Sequence, residues 1–137
     1  MKVWFLFFIA TIDFFYGWAQ PPQENRIKVE HADNYGLQIK GGDHIQTLVG
    51  HVVMSHNQTI LQCDSATIWN ESQVQANANI IISQGDSVTI YADRLTYNAD
   101  TEVATLLGNV VLVSEDKKLF TSSLNYQLNI KVAKYQT

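Results

Sequence analysis

Leu61-Gln62-Cys63-Asp64-Ser65-Ala66-Thr67-Ile68 returns as Ile90-Tyr91-Ala92-Asp93-Arg94-Leu95-Thr96-Tyr97 and again as Leu119-Phe120-Thr121-Ser122-Ser123-Leu124-Asn125-Tyr126. The interval is 29 residues each time, and Val74, Val103 and Val132 keep it too. Repetition at such a period marks stacked supersecondary units, each unable to bury its apolar face alone. The region from Gln46 to Gln136 is therefore read as about three such units.

Each unit holds a first strand, a tight turn and a second strand. The first strands are expected near Thr47–Ser55, Val74–Ser83 and Val103–Ser114, the second near Thr59–Trp69, Val88–Tyr97 and Lys118–Leu128. Between them stand His56-Asn57-Gln58, Asn70-Glu71-Ser72, Gly85-Asp86-Ser87, Asn98-Ala99-Asp100-Thr101 and Glu115-Asp116-Lys117. Asn, Asp, Gly and Ser reverse a chain cheaply. Loops this short join antiparallel neighbours, because parallel strands need long crossovers. No window outside the leader has a 3.6-residue period, so an all-β antiparallel domain is expected. Upstream, Arg26–Ala32 alternates as a short strand, and Asp33–Asp43 is expected to be a loose turn around a weak strand at Leu37-Gln38-Ile39.

Period-two facing places Leu48, Gly50, Val52 and Met54 on one face of the first strand. Their equivalents are Ala76, Ala78, Ile80 and Ile82, then Leu106, Gly108, Val110 and Leu112, while His51, Asn79 and Asn109 point the other way. The second strands skip: Leu61 and Cys63, then Ala66 and Ile68, with the same step of three in the later units. A β-bulge or corner around Asp64, Asp93 and Ser122 would absorb it and bend every strand at one level.

With 137 residues, 46% hydrophobic and 16% charged, the chain is globular and large enough for one domain. The net charge is −4 and the basic residues are scattered, which excludes a phosphate-binding stripe and makes nucleic acid an unexpected partner. Cys63 is alone, so there is no internal disulfide and no zinc spacing; it reads as a small core residue, with a reactive thiol as the other reading. Met1–Ala19 reads as a secretory signal peptide, with Lys2 before an apolar run from Val3 to Ile12 and small residues at Gly17 and Ala19. That run is shorter than the roughly 20 residues of a membrane-spanning helix. An uncleaved anchor is the competing reading, given Asp13 and Phe14-Phe15-Tyr16. Gln20–Asn25, with Pro21-Pro22, is a stiff linker, and residues 26–137 form the domain. Export is expected on either reading.

Nothing in the chain points to an enzyme, a cofactor or a metal. Asp64 and Asp93 are repeat equivalents, with Ser122 as the third member, and are expected to satisfy backbone groups at the bend. The histidines His31, His44, His51 and His56 are read as solvated, with no ligand spacing. Trp69, Tyr97 and Tyr126 stand at strand ends, as rim packing or as a sugar-stacking platform. The stripe with Gly50, Ala78 and Gly108 at its middle admits two readings: a packed sandwich core, or a partly open groove for acyl chains.

The pattern Gly50-His51-Val52, Cys63-Asp64-Ser65, Ala92-Asp93-Arg94-Leu95-Thr96-Tyr97 and Ala104-Thr105-Leu106-Leu107-Gly108-Asn109-Val110 resembles the OstA-like (organic solvent tolerance) family of periplasmic lipopolysaccharide-transport proteins. Arg26-Ile27-Lys28-Val29-Glu30-His31-Ala32-Asp33 looks like the start of such proteins in Bacteroidota. The resemblance spans Arg26 to Gln136. It implies a V-shaped, open β-jellyroll whose interior takes lipid A acyl chains, with domains joined edge to edge in a bridge between membranes. Carried onto this chain, the lipid-binding set is Val52, Met54, Leu61, Ile80, Ile82, Ile90, Val110, Leu112 and Leu119. The chain stops at Thr137, just after Val132-Ala133 opens a further unit, so a short member and a truncated product both fit.

Two functions follow. One is a periplasmic lipopolysaccharide-binding module for outer-membrane assembly, itself periplasmic or associated with the outer membrane. The other is a ligand-free module that self-associates or docks through sheet edges; a carbohydrate-binding module is a third.

Overall fold

The computed structural model describes residues 26–136, so the expected signal peptide (Met1–Ala19) and linker (Gln20–Asn25) lie outside the described residues. These residues form nine strands: β1 (Lys28–His31), β2 (Asn34–Lys40), β3 (Asp43–His56), β4 (Thr59–Trp69), β5 (Gln73–Gln84), β6 (Val88–Asn98), β7 (Val103–Ser114), β8 (Lys117–Gln127) and β9 (Val132–Gln136). All pair antiparallel in one sheet of order β1-β3-β4-β5-β6-β7-β8-β9, and β2 also pairs with β3. The expected second strands agree with β4, β6 and β8 to within a residue at each end.

The weak strand expected at Leu37-Gln38-Ile39 is present but longer, Asn34–Lys40, and takes up most of the expected loose turn. β2 pairs with β3 from Asn34↔Val49 to Lys40↔Asp43. Gly41 and Gly42, at φ +59° and +87°, close the hairpin in the primed-turn geometry that matches strand twist. β1 and β2 flank the two halves of β3 and together act as one more second strand, with Ala32-Asp33 in the place of Cys63-Asp64. Asp33 stands 31 residues before Asp64, outside the 29-residue register, and so escapes a search at that period.

The strands from β3 to β8 break register at one level. Register shifts fall at Val49/Val52, Asn77/Ile80 and Leu107/Val110 of the first strands. The extra residue therefore lies in the first strand, opposite Asp64, Asp93 and Ser122, and not in the second strands where the skip of three suggested it. Each bulge is a left-handed pair: Gly50-His51 (φ +89° and +48°), Ala78-Asn79 (+71° and +54°) and Gly108-Asn109 (+85° and +47°). Such backbone costs about 1–2 kcal/mol per non-glycine residue. Burying a single aliphatic side chain, at about 1.5–3 kcal/mol, offsets it.

This crease divides the sheet into two arms. The first carries the row Val29, Met54, Leu61, Ile82, Ile90, Leu112, Leu119, each paired with the next. The second carries Tyr35, Leu48, Ala66, Ala76, Leu95, Leu106, Leu124, Tyr135 in the same way. The arms fold onto each other around one hydrophobic core.

Candidate functional site

The crease is clipped from outside. Asn79 Nδ2 donates to Asp64 Oδ2 at 2.8 Å, and Asn109 Nδ2 donates to Asp93 Oδ2 at 2.9 Å. Asp33 instead lies between two histidines, with His51 Nδ1 2.7 Å from Oδ2 and His31 Nε2 3.1 Å from Oδ1. The hydrogen bond to His51, then that to His31, lowers the Asp33 carboxyl pKa below its ordinary value. The same bond to Asp33 raises that of His51. The aspartates thus have a structural place, but they meet side chains more than the backbone groups expected of them.

The small crease residues do not open a groove. A Cβ built on Gly50 would lie 2.6 Å from Asp33 Oδ2, and one on Gly108 would lie 2.7 Å from Asp93 Oδ2. Ala78 is exposed. Their smallness serves the left-handed backbone and the close approach of the aspartates.

The interior lies between the arms. Met54, Leu61 and Ile90 are 0% exposed and Val52, Ile80, Ile82 and Val110 are 1% exposed, while Leu112 and Leu119 are only partly buried. These nine residues share the inward face of the first arm. The facing wall, outside the expected lipid-binding set, is Leu48, Ile68, Val74, Leu95, Tyr97, Leu106, Leu124 and Tyr126. Its signal was present, since Leu95 and Leu124, like Tyr97 and Tyr126, are 29 apart. Tyr97 and Tyr126 are 1% and 3% exposed, so they offer no face to a sugar. Cys63 is buried too, and burial, then the Asp64 charge, pushes its thiol up to about 12, which leaves it protonated and unreactive.

The arms meet out of step. His56, at the end of β3 in the first arm, reaches Tyr97, near the end of β6 in the second; Nδ1 and the hydroxyl share a 2.8 Å hydrogen bond. Gln84 of β5 reaches past β8, its Nε2 donating to the Leu128 carbonyl at 2.7 Å. The Tyr126 hydroxyl donates to Gln84 Oε1 at 3.5 Å, and Asn57 Nδ2 donates to Glu102 Oε2 at 3.3 Å. His56, expected in solvent, is 2% exposed, and burial lowers its pKa against the pull of Glu102 and Asp100. Accumulated strand twist produces an offset of this kind.

The offset leaves both ends of the interior open. At one end Tyr35, Leu37 and Ile39, on the inward face of β2, are 55–65% exposed beside a cleft of about 470 Å³ bounded by Ile27, Val29 and Tyr35 together with the polar Arg26, Lys28, Gln46 and Glu71. At the other, Leu112 and Leu119 are partly covered and Tyr135 is exposed. β9 pairs only with Ser123–Gln127, so Lys117–Phe120 of β8 has no strand beside it on that side among the described residues.

A creased antiparallel sheet folded on an apolar interior and open at both ends defines an open β-jellyroll. The family model described as OstA-like protein matches residues 24–137, and the chain belongs to that family. No curated protein matches it. Among solved structures it is similar to LptH of Pseudomonas aeruginosa, described as the LptA-homologous periplasmic component of the conserved lipopolysaccharide transport device. That match has TM-score 0.71 at 18% identity over 82% of each chain, which is a likeness of fold.

Proposed function

We propose that the protein is a periplasmic lipopolysaccharide-binding and transport module that contributes to outer-membrane assembly. Lipid A acyl chains lie between the arms, against Val52, Met54, Leu61, Ile80, Ile82, Ile90, Val110, Leu112 and Leu119. The observation that carries this reading is the unbroken aliphatic row from Val29 to Leu119, which emerges from cover at Leu112 and Leu119. Burial of acyl chain on such a row is worth roughly 0.8 kcal/mol per CH₂, so transfer needs no catalysis. Family membership and the LptH fold support the same reading.

Other jellyroll domains, including further copies of this chain, join at the ends: the Lys117–Phe120 edge of β8 meets an incoming strand, and the exposed face of β2 continues the interior. A photo-cross-linking residue at Ile80 or Val110 tests the reading. Lipid adducts are expected, and their clean absence from correctly folded protein sinks it. The second reading, docking through edges without ligand, is favoured by the same β8 edge. Oligomers that survive delipidation, with no lipid co-purifying, would select it.

A further inference from the structure

The interior is closed along its middle. Met54, Leu61, Ile82 and Ile90 are at most 1% exposed, so an acyl chain reaches them only after something moves. Neighbouring strands are stitched on both sides of the crease by antiparallel ladders that part only by breaking rows of backbone bonds. The seam where the tips of β3–β5 meet those of β6–β8 differs. It is crossed by the side-chain contacts His56–Tyr97, Gln84–Leu128, Gln84–Tyr126 and Asn57–Glu102, and at the β1 end the arms share one backbone bond, from Ile27 N–H to the Glu71 carbonyl at 2.8 Å. Behind it lies a natural hinge, the crease, where each ladder is already interrupted by a left-handed pair. Above it is a cleft of mixed character whose lining includes Asn57, Gln84, Glu102, Leu128 and Lys131.

We propose that this seam is a latch: the arms part along His56–Tyr97 and Gln84–Leu128 by bending at the crease, admit acyl chains sideways, and reclose over them. The proposal rests on the lipid reading of the interior and adds the route of entry. Of the charged and titratable groups facing His56, Tyr97 comes from β6 and Asp100 and Glu102 from the turn after it. A buried imidazole that resists protonation makes the latch tighter at neutral pH than in acid.

The test uses Gln58→Cys with Thr101→Cys, exposed positions beside the seam on opposite arms; buried Cys63 stays unlabelled. A short reducible thiol cross-linker staples the tips, and a photo-cross-linker at Ile80 reads capture of purified lipid A. Stapling should cut capture at least tenfold, and reduction should restore it. Capture at the same rate with the staple in place overturns the latch while leaving the lipid reading intact. Spin labels on the same pair read the gate without lipid: Tyr97→Phe with Gln84→Ala should lengthen the distance distribution. If no lipid is captured at all, a lengthened distribution keeps the latch and removes the lipid reading; an unchanged one removes both.

Discussion

The crease and the seam are both polar features laid across an apolar sheet, yet they are built in opposite ways. The crease is exposed and repeated: an aspartate and a left-handed pair recur at Asp33, Asp64 and Asp93 with local partners. The seam is buried at His56–Tyr97, partly buried at Gln84–Tyr126 and exposed at Asn57–Glu102. His56 and Gln84 each end a first strand and Tyr97 and Tyr126 are 29 residues apart, so the contact recurs with different side chains, and it forms only because the arms are out of step. The crease joins partners 15–18 residues apart on neighbouring strands, whereas the seam joins partners 41–42 residues apart that meet only in the folded whole.

The largest expected difference between them is steric. Gly108→Val would force a β-branched residue to φ +85° with its Cβ against Asp93, and should cost about 3 kcal/mol or more of stability in urea unfolding. Truncating the clip it shelters, as Asn109→Ala, removes one exposed hydrogen bond and should cost about 1 kcal/mol or less. At the seam the polar contact itself matters more. Tyr97→Phe leaves the packing but removes a buried hydrogen bond to His56, an expected loss of about 0.5–1.5 kcal/mol by the same measurement.

The two regions should also answer pH oppositely. The folded pKa of His56 lies below its ordinary 6.5, so the unfolded chain binds the proton first, and stability falls as pH drops below about 6.5. The unfolding midpoint of the native protein should therefore fall more between pH 7 and pH 5 than that of His56→Gln. His51 is raised above 6.5, so its contribution is present at low pH and fades as pH rises through its folded value. His51→Asn, which copies Asn79 and Asn109, should erase that trend and barely move the midpoint at neutral pH. The smallest change has the opposite sign. Ala78→Gly relieves a left-handed alanine at φ +71° and should stabilise by up to about 1 kcal/mol.

The same contrast explains what was legible beforehand. The strands, their turns and the inward row Leu61, Ile90, Leu119 follow from alternation and the 29-residue interval. Gly50 and Gly108 admit readings as packed core or as room for a ligand, because a small residue looks the same whether it leaves space or permits a backbone that others resist. The fourth second strand was hidden by the 31-residue step at Asp33 and by Gly36, where the other units carry Thr67, Thr96 and Asn125. His56 was placed in solvent because nothing local reveals that a strand end will lie against Tyr97, 41 residues on. The second wall of the interior was visible residue by residue, but not as a wall.

The central claim is that lipid lies on the inward face between the arms. Ile90 and Tyr91 are adjacent on β6 and face opposite ways, one 0% and the other 44% exposed. Photo-cross-linking from each position in the native cell envelope, read by mass spectrometry, tests the claim most directly. Lipopolysaccharide adducts from Ile90 and none from Tyr91 are predicted. Adducts from Tyr91 alone, or equal yields from both in a folded protein, would contradict it.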